Sequence, residues 1–260
     1  MLFFQFDMLN ILVGICSIIA CAVIIVREAR PDTKLNYSKF AINGPSCGKM
    51  LPSRTGMFMI YGPAFTISLI STCQLITTNT FELQKNYRVL LMSVLILLYY
   101  GKRLFEVRFI HHYSGHCRLR DCFTIASSYV GLTVLVKIFT EQVPLSYVSS
   151  HLILLGVVCF IIGECVNFYH HVLLKNLRKD GSKEYKIPKH GLFEYIWCPH
   201  YLAEVVTFFS MVMISQHWII FILNVGSSLY LAIRAYNTRE WYKQRFDEIP
   251  ARYCLVPFIF

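Results

Sequence analysis

Long apolar runs without charged residues dominate this sequence and restrict the environment in which it can fold. These runs occupy 8–26, 57–81, 89–101, 122–139, 148–163, 205–216 and 218–233. A helix needs about 20 apolar residues to cross a bilayer, so the shorter runs must extend through polar residues at their ends. A composition of 55% hydrophobic and 15% charged residues is also typical of membrane proteins. The sequence therefore predicts an all-α polytopic membrane protein with about seven transmembrane helices.

The positions of the lysine and arginine residues predict the orientation of these helices, because basic residues accumulate in cytoplasmic loops. We expect a lumenal N-terminus and a cytosolic C-terminus. With this orientation, 22 of the 25 basic residues fall in cytosolic segments, and the exceptions are Lys85, Arg88 and Lys137. The cytosolic segments are 27–56, 102–120, 175–199 and 234–260. Topology thus accounts for most of the +10 net charge, and no nucleic-acid partner is required.

The cysteine and histidine patterns do not predict a metal site. The ten cysteines include no CxxC pair, and most of them lie in apolar runs, so neither a disulfide framework nor a zinc site is indicated. His111, His112 and His116 provide one HxxxH spacing that is interrupted by Ser-Gly. A membrane di-iron site would need more histidines at suitable spacing.

One polar stripe follows the fifth predicted span toward a basic loop. Its members recur at steps of three and four and therefore share one helix face: Glu164, Asn167, His171, Lys175 and Arg178. Ionisable side chains at membrane depth are costly and usually mark functional sites. A single buried polar residue would more often be a helix-packing contact. Five on one face favour a wet, ligand-filled cavity.

Three other predicted spans carry polar faces that emerge on the same cytosolic side. The faces comprise Tyr100, Arg103 and Val107 in the third span, His200, Tyr201, Glu204 and Thr207 in the sixth, and Arg234, Thr238 and Tyr242 in the seventh. A tyrosine near the membrane interface can also be an aromatic-belt anchor. The four polar faces together predict one pocket that opens to the cytosol.

Cationic side chains combined with a tyrosine and an acidic partner suit the phosphates of a dinucleotide. The sequence contains no GxGxxG motif, so a Rossmann domain is excluded and NADPH would lie among the helices. Hydride transfer to a carbon-carbon double bond conjugated to a carbonyl moves negative charge to the oxygen. A phenol such as Tyr100 could stabilise that charge by donating a hydrogen bond.

An ordered set of short motifs resembles the steroid 5α-reductase and trans-2-enoyl-CoA reductase superfamily. The motifs are Ser53-Arg54-Thr55-Gly56, Tyr100 three residues before Arg103, LRKDGSKEYKIPKHGLFEYIWCPHYLAE, Arg234, Tyr242 and the ending VPFIF. The resemblance implies one reductase domain over 1–260 in the endoplasmic-reticulum membrane. Within it, 1–99 would form the less typical N-terminal helices and 100–260 the NADPH-binding and catalytic part. The implied reaction is NADPH-dependent reduction of an enone or enoyl thioester in a lipid.

The resemblance also implies roles for individual residues. Tyr100 matches the tyrosine that polarises the substrate carbonyl, and Tyr61 is the second predicted catalytic residue. The residues that match NADPH contacts are Arg103, Asn167, Arg178, Tyr185, Glu204, Arg234 and Tyr242. Lys186, His171 and His200 complete the predicted cofactor-binding set.

Departures from the family pattern leave the lipid substrate open. The steroid enzymes have a Gln-Glu pair where this chain has Ile60-Tyr61, and they have Asn, Gly and Asp at the positions of His200, Ala203 and His171. The enoyl-CoA branch has Glu-Tyr before Gly-Pro, and this chain retains the tyrosine. A steroid enone and a 2-enoyl-CoA therefore both remain candidates.

Two other classes of function are alternatives. Isoprenylcysteine-type membrane methyltransferases end with a related helical pair and an Arg-His-Pro motif, whereas Cys198-Pro199-His200 has the reverse order and no arginine. A non-catalytic membrane scaffold is the second alternative, and it would bind no nucleotide.

The predicted phosphate contact of Arg178 can be tested by substitution. Arg178→Ala should raise the KM for NADPH by roughly tenfold, since a charge-assisted hydrogen bond is lost, and should change the KM for the lipid much less. Steady-state kinetics with each substrate varied in turn measures both constants. Equal changes in the two constants would argue against a cofactor contact.

Overall fold

The computed structural model describes residues 2–35, 37, 40, 48–77, 87–113, 115–177 and 185–260. Seven α-helices form within these ranges: α1 Met8–Ala29, α2 Ser53–Thr77, α3 Tyr87–Phe105, α4 Leu119–Gln142, α5 Ser150–Asn176, α6 Pro199–Ser215 and α7 Trp218–Lys243. Each helix contains most of one predicted apolar run, in the same order along the chain. The predicted all-α polytopic fold is confirmed, and the orientation of the termini stays a prediction.

Five of the helices in the described ranges are long and apolar enough to cross a membrane, namely α1, α2, α4, α5 and α7. The other two correspond to two of the shorter apolar runs; α6, for example, has 17 residues. Many apolar side chains on α1 are exposed, such as Met8 at 87% and Val23 at 60%. Side chains of this kind are stable against lipid, where a water-soluble protein would bury them.

Short elements connect the helices. A π-helical turn, Glu106–Ile110, continues α3, and single 3₁₀ turns occur at Leu145–Tyr147 and Gly191–Glu194. Strands β1 (Met50–Pro52) and β2 (His116–Arg118) pair antiparallel, with Leu51 opposite Cys117. No pattern in the sequence predicts this small sheet, since three residues are too few to show an alternation of apolar and polar side chains.

The described chain divides into two compact units. Unit 1 comprises Met1–Phe3, Leu35–Ser149 and Ile214–Ile220, and unit 2 comprises Phe4–Lys34, Ser150–Met213 and Phe221–Phe260. Unit 1 thus contains α2, α3 and α4 with the small sheet. Unit 2 contains α1, α5, most of α6 and α7, and the C-terminal tail. The prediction of one reductase domain stays a prediction.

Main-chain hydrogen bonds attach the C-terminal tail within unit 2. The N–H of Trp197 donates to the carbonyl of Tyr253 at 2.9 Å, and the N–H of Tyr253 donates to the carbonyl of Tyr195 at 3.1 Å. The last residues turn back on themselves, with the N–H of Leu255 donating to the carbonyl of Phe260 at 2.8 Å. The tail therefore holds the segment that precedes α6.

A buried arginine joins helix ends in unit 1. The guanidinium of Arg88 is 3% exposed and donates to the carbonyls of Thr140, Val143 (3.1 Å) and Ser215 (3.2 Å). These carbonyls lie at the C-terminal ends of α4 and α6. The last four carbonyl groups of an α-helix have no hydrogen-bond donor inside the helix. Arg88 satisfies three of them with one positively charged group, which also suits the negative end of a helix dipole.

Removing this guanidinium should destabilise the fold. Arg88→Met leaves buried carbonyls without donors, so we expect the free energy of unfolding to fall by about 2–4 kcal/mol. Thermal unfolding of detergent-solubilised protein measures the change. Arg120→Met replaces an exposed arginine of the same unit and serves as the matched control. Equal unfolding midpoints for the two variants would contradict the capping role of Arg88.

Candidate functional site

Tyr100 lies on α3 with a buried hydroxyl group. The side chain is 2% exposed, and its hydroxyl donates to the carbonyl of Tyr129 on α4 at 3.3 Å. The hydroxyl of Thr133 donates to the same carbonyl at 2.8 Å and lies 3.3 Å from the Tyr100 oxygen. Hydrogen bonds between hydroxyl and carbonyl groups are usually shorter than 3.0 Å. The bond from Tyr100 to this carbonyl is therefore long and weak.

Four tyrosines from three helices form a row, which we call the tyrosine row: Tyr61, Tyr129, Tyr100 and Tyr99. The rings of Tyr61 and Tyr129 stack at 5.5 Å, Tyr129 meets Tyr100 edge to face at 5.7 Å, and Tyr100 meets Tyr99 edge to face at 5.0 Å. Each such pair contributes about 0.5–1.5 kcal/mol beyond its buried area. The two predicted catalytic residues, Tyr61 and Tyr100, thus lie on either side of Tyr129 in rigid packing.

A small charged cluster follows Tyr100 by one turn. Glu106 is fully buried, accepts a hydrogen bond from Arg103 at 3.3 Å and forms an ion pair with Lys102, whose ammonium nitrogen lies 3.6 Å from the carboxylate. The Arg103 guanidinium also lies 5.2 Å from the centre of the Tyr99 ring. Glu106 follows Arg103 by three residues, a spacing at which side chains on a helix can pair. Two cations thus share one buried carboxylate.

In unit 2, the polar stripe of α5 contacts α6. The side-chain amide of Asn167 donates to the carbonyl of His200 at 2.8 Å, and the rings of His171 and His200 are 5.5 Å apart. One turn earlier on α5, Glu164 accepts from the hydroxyl of Thr207 at 3.1 Å. Three members of the stripe thus serve helix packing, which was the alternative to a cavity. Their contacts fix the first turn of α6, where His200 begins the predicted cofactor-binding face.

Gly163 allows α5 and α6 to approach each other closely. A Cβ atom at this position would overlap the Thr207 hydroxyl and lie 2.9 Å from the carbonyl oxygen of Ala203. Small residues at helix crossings are typical of membrane proteins because they let the backbones meet. This close contact fixes the first turns of α6. These turns carry Glu204, whose side chain is buried at 7% exposure.

A buried ion pair links α1 to α7. The Arg234 guanidinium donates to the Glu28 carboxylate at 2.8 Å, and both residues are 0% exposed. The side-chain amide of Asn237 donates to the carbonyl of Glu28 at 3.0 Å and to its carboxylate at 3.3 Å. One terminal nitrogen of the Arg234 guanidinium is thus bonded to the Glu28 carboxylate. Arg234 is well placed to position neighbouring groups on α7.

Aromatic rings surround the last predicted cofactor-binding residues, and we call this group the aromatic box: Tyr185, Trp197, Trp241 and Tyr242. Tyr242 stacks on Trp197 at 5.0 Å, and Tyr185 meets Trp241 edge to face at 4.6 Å. The Tyr242 hydroxyl lies 3.5 Å from the carbonyl of Lys186, at the limit of a hydrogen bond. The box therefore holds the segment from Tyr185 to Lys186 against α7.

Cationic groups lie beside the aromatic box. The guanidinium of Arg245 lies 4.3 Å from the centre of the Trp241 ring, and that of Arg252 lies 5.3 Å from the Trp197 ring. Arg252 also donates to the carbonyl of Pro188 at 2.8 Å, and its burial lowers its pKa. A cavity of about 740 Å³ adjoins this region, with a lining that includes Trp197, Arg239, Lys243 and Arg252. Flat rings and guanidinium groups together suit a ligand with a heteroaromatic ring and phosphates.

The predicted site residues fall into both units. Unit 1 holds Tyr61, Tyr100 and Arg103, and unit 2 holds Asn167, His171, Tyr185, Lys186, His200, Glu204, Arg234 and Tyr242. Arg178 lies outside the described residues. The roles of these residues, and the pocket they were predicted to line, stay predictions.

Sequence reasoning missed several side chains that the structure places beside predicted ones. Glu28 had a weak signal, as an acidic residue at the end of an apolar run between two arginines. Tyr129 and Thr133 are spaced four residues apart on α4, which is also the spacing of ordinary helix packing. Trp197 and Trp241 flank predicted residues but have no charge to mark them. Contacts between distant segments identify all five.

The fold and the buried ionisable groups define a polytopic helical membrane protein with polar side chains held inside it. The chain belongs to the 3-oxo-5-alpha-steroid 4-dehydrogenase family, whose model matches residues 117–260. This match covers more than half of the chain. The resemblance inferred from the ordered motifs is therefore confirmed, and neither the methyltransferase nor the scaffold alternative is favoured.

Curated relatives include three kinds of enzyme. The chain is similar to a very-long-chain enoyl-CoA reductase of Dictyostelium discoideum, at 32% identity over 62% of this chain and 55% of the relative. It is similar to polyprenal reductase 2 of Oryza sativa subsp. indica, at 37% over 40% of this chain and 31% of the relative. It is also similar to 3-oxo-5-alpha-steroid 4-dehydrogenase 2 of Macaca fascicularis, at 24% over 96% of each chain. The match thus spans about half or less of the first two relatives.

The close approach at Gly163 gives a testable prediction. Gly163→Ala inserts a methyl group against Thr207 and a backbone carbonyl, so we expect a loss of about 1–3 kcal/mol in the free energy of unfolding. Gly131→Ala is the matched control, because nothing lies within 4 Å of a Cβ there. Thermal unfolding in detergent compares the two. If Gly163→Ala unfolds at the same temperature as Gly131→Ala, the helices are not in close contact.

Proposed function

We propose that this protein reduces a carbon-carbon double bond conjugated to a carbonyl group in a lipid, using NADPH. The observation that carries the proposal is the buried hydroxyl of Tyr100 within the tyrosine row. Family membership supports it, and the names of the three relatives describe a dehydrogenase and two reductases. The predicted residence in the endoplasmic-reticulum membrane belongs to the same proposal.

Tyr100 would act on the carbonyl oxygen of the substrate. When the carbon farther from the carbonyl accepts a hydride, negative charge develops on that oxygen, which then binds a hydrogen-bond donor more tightly than the carbonyl did. Stabilisation of this kind is catalytic because it is stronger in the transition state than in the ground state. The Tyr100 hydroxyl would donate to the oxyanion in place of its long 3.3 Å bond to the Tyr129 carbonyl.

The residues of unit 2 fit a dinucleotide cofactor. NADPH would supply the hydride. The aromatic box offers flat ring faces, while Lys186, Arg245 and Arg252 offer positive charge for phosphates. Arg234 would act through its ion pair with Glu28, by holding α7 in position. In unit 1, Arg103 and Lys102 would offer further positive charge beside Glu106.

The substrate class follows from the chemistry that the three relatives share. A 2-enoyl-CoA, a Δ4-3-oxosteroid and a polyprenal each contain a double bond conjugated to a carbonyl. In this chain Ile60 occupies the place of the glutamine in the steroid enzymes, and it is buried in an apolar cluster with Cys117 and Cys122. One polar contact to a steroid carbonyl is thereby missing. A 2-enoyl-CoA and a polyprenal are accordingly the first substrates to test.

The direct experiment uses the purified protein in detergent. NADPH is added, and its absorbance is followed after addition of a 2-enoyl-CoA, a steroid enone or a polyprenal. Oxidation of NADPH that requires one of these lipids, with formation of its saturated product, supports the proposal. Bound NADPH that none of the three substrate classes can oxidise would count against it.

Substitution of Tyr100 tests its role as the hydrogen-bond donor. Tyr100→Phe should lower kcat by about 10²–10³-fold, which is the usual effect of losing one oxyanion donor, and should leave the Kd for NADPH unchanged. Tyr99→Phe removes the neighbouring buried hydroxyl and is the matched control, with kcat within about twofold of wild type. If both variants retain wild-type kcat, Tyr100 does not polarise the carbonyl.

A further inference from the structure

Cys117 and Cys122 form a close thiol pair in unit 1. Cys117 lies on β2, Cys122 lies in the first turn of α4, and the Cys122 thiol donates to the Cys117 sulfur at 3.1 Å. Both side chains are almost fully buried, at 1% and 0% exposure. A disulfide bond is about 2.05 Å long, so an approach of roughly 1 Å would bring the sulfurs to bonding distance. The two sulfur atoms are thus close enough for an oxidant to join them in a disulfide bond.

The surroundings favour Cys117 as the first sulfur to react. Because Cys117 accepts the hydrogen of Cys122, its pKa is lowered, and a thiolate is the reactive form of cysteine. Gly56 on α2 provides the space for the pair, since a Cβ atom there would overlap Cys117 Sγ and lie 3.0 Å from Cys122 Sγ. Cys117 is also on a strand of three residues, which can shift with little loss of pairing.

We infer that Cys117 and Cys122 are a redox-active dithiol that hydrogen peroxide converts to an intramolecular disulfide. The Cys117 thiolate attacks one peroxide oxygen, which breaks the O–O bond and gives a sulfenic acid and, after protonation, water. The Cys122 sulfur then attacks the Cys117 sulfur, forms the S–S bond and releases the second water. Hydrogen peroxide is reduced by two electrons, and the two thiols supply them. A dithiol reductant reverses the reaction.

The thiol pair is packed against two members of the tyrosine row. Cys117 and Cys122 form an apolar cluster with Ile60, and Tyr61 and Tyr129 pack on that cluster. Closing the disulfide draws β2 toward Cys122 on α4, which lies three residues before Ile125 of the same cluster and seven residues before Tyr129. The Tyr129 carbonyl holds the hydroxyl of Tyr100. Oxidation is therefore expected to shift Tyr100, an effect that rests on the proposed function.

Peptide mapping tests the disulfide without any assay of activity. The full-length protein in detergent is treated with hydrogen peroxide, alkylated and digested with trypsin, which cleaves after Arg118 and Arg120 and so separates the two cysteines. We expect a disulfide-linked pair of peptides, which dithiothreitol separates by reducing the disulfide. We also expect the pair to lose its alkylatable thiols about tenfold faster than Cys254, a buried cysteine elsewhere.

Two variants control this measurement. In Cys122→Ser the linked peptides should be absent, and Cys117 should lose its rapid reaction with peroxide, while Cys254→Ser should behave as wild type. Thermal unfolding of each variant verifies that it is folded. If folded wild-type protein forms no linked pair, or if Cys117 and Cys122 react no faster than Cys254, the inference is overturned.

The coupling to catalysis has its own readout. Peroxide should lower wild-type kcat about tenfold, because small displacements of a catalytic group are costly, and dithiothreitol should restore it. Cys122→Ser should keep its activity after the same treatment. A disulfide that forms without any change in kcat would overturn the coupling to Tyr100. If the untreated protein reduces none of the lipids, the proposed function fails while peptide mapping still decides the dithiol.

Discussion

A charged side chain that is buried in a protein must find its partner there, and the ion pair between Glu28 and Arg234 follows from this constraint. The two groups are 2.8 Å apart and fully buried, so removal of either would leave the other charge buried without its ion-pair partner. The pair ties the first helix of unit 2 to its last. Arg234, which the sequence predicts to be a cofactor contact, therefore also has a structural role.

The same constraint orders unit 1 around Tyr100. Arg88 is bonded to three carbonyls, and Glu106 is shared between Arg103 and Lys102. The Tyr100 ring is packed between Tyr99 and Tyr129, and its hydroxyl lies 3.3 Å from a carbonyl to which Thr133 donates at 2.8 Å. A packed ring that carries a polar group inside the protein is what a pre-organised hydrogen-bond donor requires. This packing is the physical basis for the role that we propose for Tyr100.

The sequence was sufficient for the helices and for many of the polar residues that matter. Apolar runs located all seven α-helices of the described ranges, and steps of three and four located Asn167 and His171 on one face. The sequence could not predict which of these residues pair with each other, since Glu28 and Arg234 are 206 residues apart and no local pattern indicates their pairing. Periodicity also cannot distinguish a polar face that lines a cavity from one that packs on another helix, as Glu164 and Thr207 do.

The most direct test of the account is the fate of a labelled hydride. The protein is supplied with NADPH that carries deuterium at the transferable position, together with a 2-enoyl-CoA or a polyprenal, and the product is analysed by mass spectrometry and NMR. The account predicts deuterium on the carbon farther from the carbonyl, a solvent proton on the nearer carbon and an intact carbonyl group. Deuterium on the carbonyl carbon, with an alcohol as product, would contradict it.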